Sequence, residues 1–310
     1  MSLPWEPERA ISLDEALHLV RRQFPDLGFS QARILATGWD NTVVQLDDEW
    51  VFRFPRRPIA LPGVEREISW LPWIAGQVDL PVPVPTFVGD YEGWPFWGGR
   101  LLVGRELAHS PGVDRVPIAA TVGRFLGELH ATALPVNAPS EALPVDPFGR
   151  ADSASRSERT RVVLAELAAL GLWQEDPAGS SILDAASQLG PVRGEPVLSH
   201  GDLYSRHILV EQSLVEQSLV DSDGHVSGII DWGDLCMAVP AVDLAIAYSG
   251  FTGDARAALS EAYGPVDGET ELRARAFAIF SAARVAHYAH DMHDDVLLAE
   301  ALAGLKGAGS

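Results

Sequence analysis

The stretch Ser199-His200-Gly201-Asp202-Leu203-Tyr204-Ser205-Arg206-His207-Ile208-Leu209-Val210, read with Gly228-Ile229-Ile230-Asp231-Trp232, decides how this chain folds. Apolar, β-branched residues lead into Asp231 and set it at the end of a strand. Asp202 stands in a loop between two such runs. Phosphoryl transfer uses these parts. One carboxylate accepts the proton of the attacking hydroxyl, and another holds the magnesium that bridges the phosphates. A His-Gly-Asp triplet alone is better explained as a hydrogen-bonded loop aspartate. Asp231 downstream turns the reading toward Asp202 as catalytic base and Asp231 as principal metal ligand, since magnesium prefers hard oxygen donors. His200 reads as structural, holding loop backbone.

His-Gly-Asp followed by Ile-Asp-Trp resembles the aminoglycoside phosphotransferase family, small-molecule kinases related in fold to protein kinases. The form HGDLYSRHIL resembles its macrolide 2'-phosphotransferase branch. That branch also has Tyr after the Leu, and His where a protein kinase has Asn five positions after the catalytic Asp. The resemblance implies an α+β, bilobal, protein-kinase-like fold. A small β-rich N-lobe over 1–103 would bind nucleotide. A larger, mostly helical C-lobe over 104–310 would carry catalysis and the acceptor.

Residue by residue, His207 has three roles open: a metal ligand, an orienting partner of Asp202, or a phosphate contact. The resemblance implies the first. Gly38-Trp39-Asp40-Asn41-Thr42 occupies the place of the nucleotide-covering loop. Gly38 would let backbone approach phosphate, and Asn41 and Thr42 would add hydrogen bonds. An ordinary hairpin turn is the competing reading. Kinases hold the α- and β-phosphates with a lysine on an N-lobe strand. Here the only lysine is Lys306, and Arg53 stands at the strand position. Glu67 matches the helix acid that pairs with it. Guanidinium grips phosphate bidentately, unlike an ammonium. Arg56 and Arg57 are alternates to Arg53. Leu101, Leu102 and Val103 resemble the hinge, where extended backbone would hydrogen-bond the base. Asp243 resembles a family position that buttresses the catalytic loop.

The rest of the chain bounds this reading. The 310 residues suffice for two lobes around one cleft, and 47% hydrophobic residues suffice for a sizeable core. A single cysteine, Cys236, excludes an intrachain disulfide and CxxC metal sites, and suits a reducing cytoplasm. No run of ~18 apolar residues suggests a membrane helix. The N-terminus lacks a basic start and an apolar run, so no secretory signal is expected. The formal net charge of −20 argues against a nucleic-acid partner and favours cationic ligands through the long-range field. Solubility alone explains that charge equally well.

Local patterns give the order of elements. Ser12 and Glu15 fit a capping box, and Ala16, Leu19, Val20 and Phe24 follow at helical spacing, so a helix is expected over roughly 12–24. Strands are expected over 34–46, broken by a turn, and over 50–54. A helix is expected over 64–71, and a strand from Gly99 to Val103. Helices follow over 117–130, 157–170 and 182–189, and the chain is mostly helical from Ala255 to Leu305. Glu211-Gln212-Ser213-Leu214-Val215 recurs at once as Glu216 to Val220. The repeat reads as a duplication that lengthens a surface hairpin.

The expected activity is an O-phosphotransferase that uses Mg2+ and GTP or ATP. Its acceptor would be a hydroxyl of a small-molecule antibiotic, a macrolide 2'-hydroxyl before an aminoglycoside. The resembling branch prefers GTP. A non-catalytic, kinase-like nucleotide-binding module is the alternative, motivated by His207 and the missing lysine. His287, His290, Asp291, His293 and Asp294 also raise a metal-site reading against that of a polar helix face.

Overall fold

The computed structural model describes residues 8–38, 40–134, 142–212 and 224–310. Helix α1 (Leu13–Gln23) opens on the expected capping box. The Glu15 amide donates to Ser12 Oγ at 3.3 Å, and the Ser12 amide donates to Glu15 Oε2 at 2.9 Å. Two otherwise unpaired donors are thereby satisfied. The buried face of α1, Ala16, Leu19 and Val20, covers an antiparallel sheet.

That sheet comprises β1 (Ala32–Thr37), β2 (Asn41–Leu46), β3 (Trp50–Pro55), β4 (Phe87–Tyr91) and β5 (Trp94–Arg100), in the order β1-β2-β3-β5-β4. Side chains alternate faces along a strand. Phe52 and Phe54 of β3 therefore join Val44, Leu46 and Phe96 under α1, with Phe54 stacked on Phe96 at 4.6 Å. Arg53 points to the other face, beside its cross-strand partner Trp97. Helix α2 (Leu61–Ile74) lies between β3 and β4 in the chain and brings Glu67 to that face. It starts three residues before the expected position. Pro62 sits in its first turn, where a missing amide costs nothing. The C-terminal half of α2 belongs to the larger core: Trp70, Leu71 and Ile74 cluster with Trp232 and Leu126.

The strand expected from Gly99 to Val103 is displaced. It runs from Trp94 and ends at Arg100, because the ladder with β3 ends where Arg100 pairs with Trp50, the first residue of β3. Leu101 to Gly104 continue without regular structure into β6 (Arg105–Glu106).

The helical lobe contains α3 (Arg115–Ala131), α4 (Ser153–Ala169), α5 (Pro177–Ser187), β7 (Val197–Ser199), β8 (Ile208–Gln212), β9 (Gly224–Ile229) and β10 (Cys236–Ala238). The short helices α6 (Ala241–Leu244) and α7 (Ile246–Ser249) follow, then α8 (Gly253–Tyr263), α9 (Gly268–Asp291) and α10 (Asp295–Gly309). Helices α4 and α5 begin earlier than their apolar periodicity suggests, because Asp152 and Asp176 cap them. β6, β8 and β9 form one small sheet, and β7 pairs with β10 in another. β8 and β9 pair antiparallel, with Gln212 opposite Gly224. The expected hairpin extension lies almost entirely in 213–223, outside the described residues. The fold is thus α+β, a β-sheet lobe set on a helical lobe.

Candidate active site

The loop after β7 is built around a carboxylate buried beneath it. Asp243 of α6 is fully buried and accepts the His200 amide at 2.8 Å and the Gly201 amide at 2.8 Å. His130 Nε2 lies 3.2 Å away. Burial alone would push the Asp243 carboxyl up, but the hydrogen bond and charge of His130 hold it below the usual range. Gly201 has φ 88°, and a Cβ there would meet the Asp234 carbonyl oxygen at 2.3 Å. Only glycine allows this turn. His200 uses both ring nitrogens on backbone: Nε2 donates to the Ile230 carbonyl at 3.0 Å, and Nδ1 accepts the Asp202 amide at 3.3 Å. That pattern requires a neutral ring. Burial, helped by the charge of His207, pushes its pKa down to about 4.

These bonds set Asp202 and Asp231 on either side of His207. The Ile230 amide donates to the His207 carbonyl at 2.9 Å. His207 Nδ1 donates to the Asp202 carbonyl at 2.8 Å, and its Nε2 lies 3.3 Å from Asp231 Oδ2. Burial disfavours the imidazolium, yet the Asp231 carboxylate raises the His207 pKa. Asp231 has φ 65°, a left-handed conformation costing on the order of 1–2 kcal/mol for a residue with a Cβ. Bonds on both carboxylate oxygens hold it there.

The other oxygen of Asp231 meets the sheet lobe. Arg53 Nη2 donates to Asp231 Oδ1 at 2.7 Å, while Nη1 lies 3.1 Å from Glu67 Oε1. Trp97 Nε1 donates to Glu67 Oε2 at 2.9 Å. One guanidinium thus serves two carboxylates with different surroundings. Glu67, with its side chain 1% exposed, is pushed up by burial despite Arg53. Asp231, with its side chain 47% exposed, is crowded by protein yet held well below the usual range by Arg53 and His207. Burial opposes the guanidinium charge, but Glu67 and Asp231 together keep Arg53 firmly protonated.

In the loop before β2, the Gly38 amide donates to the Asn41 carbonyl at 2.9 Å. Arg56 donates to the Gly38 carbonyl, and Arg57 Nε to Asp40 Oδ1 at 2.9 Å. The two alternates to Arg53 therefore brace this loop. Thr42 is buried, and Asn41 Oδ1 is buried without a partner among the described residues. Trp39 lies outside them. Leu102 packs against Gly228, and Val103 is exposed.

One pair of groups had no motif to announce it. Arg150 Nη2 lies 3.5 Å from Asp202 Oδ1 and also ion-pairs with Asp234 Oδ2. Arg150 sits fifty-two positions before Asp202 in an irregular segment, and no sequence spacing ties the two. Asp234 carried a faint signal, three residues after Asp231.

The C-terminal His/Asp group does not converge. His287 faces Asp291 at 3.3 Å, while Asp294 faces His109 at 2.9 Å. Among the described residues, no cluster of three or more His, Cys, Asp or Glu side chains is arranged to hold a metal. A polar helix face accounts for these residues. No described helix is long and apolar enough to cross a membrane.

Known proteins resemble the whole of this architecture. The uncharacterized protein YcbJ of Bacillus subtilis (strain 168) is 24% identical over 273 residues, spanning 83% of this chain and 82% of its own. The GDP complex of wild-type aminoglycoside 2'-phosphotransferase-IIIa superposes with a TM-score of 0.68 at 23% identity, covering 96% of this chain and 99% of that one. The apoenzyme of macrolide 2'-phosphotransferase MphH from Brachybacterium faecium gives 0.60 at 23% identity, covering 94% and 98%. At these identities the superpositions establish the kinase-like fold. The phosphotransferase enzyme family, APH, matches residues 31–277, and the chain belongs to it.

Proposed function

We propose that this phosphotransferase moves the γ-phosphoryl group of GTP or ATP to a hydroxyl of a small-molecule antibiotic, a macrolide 2'-hydroxyl in first place. The observation that carries the reading is the His207 bridge. One imidazole donates from Nδ1 to the backbone carbonyl of Asp202 and faces the Asp231 carboxylate through Nε2, and the charges of both carboxylates act on it.

Asp202 is the base. Its carboxylate orients the acceptor hydroxyl and takes its proton as the oxygen–phosphorus bond forms and the nucleoside diphosphate leaves. Asp231 and His207 would hold the metal, His207 through Nε2 once that nitrogen gives up its proton and its contact with Asp231. A half-exposed carboxylate held deprotonated suits magnesium, which takes one or two carboxylates and completes its shell with phosphate oxygens and water. Magnesium, when bound, neutralises charge on the transferring phosphates. Arg53, oriented by Glu67, supplies the cation that lysine provides in other kinases. Gly38, Asn41 and Thr42 would border the phosphates, with the Asn41 side-chain NH2 and the Thr42 hydroxyl as the donors. Leu102 and Val103 border the base. GDP in the solved relative makes GTP the first donor to test.

The macrolide reading draws on the acceptor side. Arg150 offsets one of the two charges of Asp202 and Asp234 and leaves a single negative charge, and Phe148 stands half-exposed beside it. An apolar ligand with a single amine suits this wall better than a polycation. The net charge of −20 favours an aminoglycoside as second reading. A transfer assay with GTP and ATP across a macrolide and aminoglycoside panel decides between them. Transfer to macrolides is expected, and Asp202→Ala should abolish it. No transfer to any acceptor but a rise in melting temperature on adding nucleotide and magnesium would point to a non-catalytic nucleotide-binding module, and neither response would point to no nucleotide site at all.

A further inference from the structure

We propose that Arg150 is a positioning residue for the transfer step, holding one oxygen of Asp202 so that the other faces the acceptor hydroxyl. The inference rests on the phosphotransferase reading above and adds a residue to it.

The segment carrying Arg150 is fixed before its guanidinium makes any contact. Val145 pairs with Met237 of β10, the Asp146 amide donates to the Met237 carbonyl at 2.9 Å, and the Met237 amide donates to the Pro144 carbonyl at 2.9 Å. The Asp146 carboxylate then accepts the amides of Arg150 at 2.7 Å and Ala151 at 2.9 Å. Arg156 Nε donates to the Gly149 carbonyl at 3.0 Å, and its Nη2 to that of Phe148. The segment therefore does not need the Arg150 side chain to hold its shape.

The guanidinium faces two carboxylates instead. It lies 4.7 Å from the Phe148 ring centroid. Its Nη2 reaches Asp202 Oδ1 and Asp234 Oδ2, and its Nη1 is buried with no hydrogen-bond partner among the described residues. Asp234 and Asp202 repel each other across this small space. Burial first, and then Asp202, raise the Asp234 pKa, and Arg150 opposes both. Without the cation, Asp202 would be free to rotate away from its neighbour. A base that must meet a hydroxyl at about 3 Å loses much of its effect through such a displacement. The proton balance is unchanged: the acceptor proton passes to the oxygen of Asp202 that Arg150 leaves open, and the nucleoside diphosphate departs.

The test compares steady-state kinetics of the wild type, Arg150→Ala, Arg150→Lys and Asp234→Asn on the best acceptor. For Arg150→Ala, kcat is expected to fall about 100-fold while KM for nucleotide stays within about twofold. Guanidinium chloride at non-denaturing concentration should restore about tenfold of that loss. Arg150→Lys, with a single point charge, should fall between the two. Asp234→Asn leaves the contact to Asp202 and should lose less than about fivefold in kcat. Unchanged kcat in Arg150→Ala would overturn the proposal. So would a loss shared equally between kcat and KM without guanidinium rescue, which a merely structural role predicts. Should Arg150→Ala fail to fold, the Lys and Asn variants carry the test: a larger loss in Asp234→Asn than in Arg150→Lys overturns it. A wild type that transfers to no acceptor sinks the phosphotransferase reading, and this proposal with it. An active wild type matched by its variants sinks this proposal alone.

Discussion

Two arginines in this molecule each span two carboxylates, and the two clamps are built differently. Arg53 joins Glu67 of α2 to Asp231, and so joins the sheet lobe to the helical lobe. Arg150 joins Asp202 to Asp234 entirely within the helical lobe. The first clamp depends on how α2 sits over the 231–233 loop. There Arg66 Nη2 donates to the Gly233 carbonyl at 2.7 Å, and a Cβ on Gly63 would come within 2.6 Å of that oxygen. The second depends on local turns and one strand pairing. Movement between lobes would alter the Arg53 clamp and leave the Arg150 clamp intact. On this division, the proposed function assigns nucleotide to the Arg53 side and transfer to the Arg150 side.

The sharpest separation comes from the aspartates themselves. Asp202→Asn should lower kcat roughly 10³-fold, about 4 kcal/mol of barrier, with nucleotide affinity preserved. Asp231→Asn should weaken magnesium-dependent nucleotide binding as well as turnover. Isothermal titration with GTP and magnesium separates the two. Equal loss of binding in both variants would break the division of labour.

Next in size is the foundation beneath the transfer side. Asp243→Ala would leave the His200 and Gly201 amides buried and unpaired, and His130 without its carboxylate. Removing one partner from a buried charged network costs about 3–5 kcal/mol, which urea denaturation would read as a lowered midpoint with unchanged slope. A loss below about 1 kcal/mol would mean that the loop is held elsewhere.

His200 gives the same foundation a pH signature. Its folded pKa lies at about 4, below the ordinary value near 6.5, so the unfolded chain binds the extra proton between those values. Stability from the neutral ring is therefore complete above about pH 6.5 and declines as pH falls toward 4, by about 3 kcal/mol in total. Asp231 has the same sign at lower pH: its depressed pKa contributes stability above about pH 4 that is lost only in stronger acid. Denaturation midpoints measured from pH 7 to 4.5 should fall in the wild type and flatten in His200→Gln. Parallel slopes would remove His200 as the cause.

These contrasts also explain what the chain disclosed before its fold was known. The proximity of Asp202, His207 and Asp231 was legible because the three sit in short motifs joined by two strands. Arg53 and Glu67 were legible only through family likeness, since their pairing crosses fourteen residues and two elements. Arg150 was invisible. It contacts Asp202 through a segment whose turns, not its spacing, aim the side chain. The strand placed at Gly99–Val103 shows the same limit at smaller scale. Its composition suits a strand, but a ladder ends where its partner ends, and that partner begins at Trp50.

The smallest expected effect tests the comparison most closely, because it keeps charge and removes only geometry. Arg53→Lys leaves a cation on the same face of β3, but an ammonium is a single point. It cannot offer separate nitrogens to Glu67 Oε1 at 3.1 Å and Asp231 Oδ1 at 2.7 Å. Two factors limit the damage. Arg53 Nε is already buried without a partner, so its removal relieves a cost, and the half-exposed end of Asp231 is screened by solvent. The stronger hydration of an ammonium works the other way in so buried a position. The net expectation is about a tenfold rise in nucleotide KM, close to 1.4 kcal/mol, with kcat changed less than about threefold. Arg150→Lys should show the reverse, a loss in kcat at constant KM. If Arg53→Lys lowered kcat and spared KM, both arginines would be serving the transfer step, and the line drawn between the lobes would have to move.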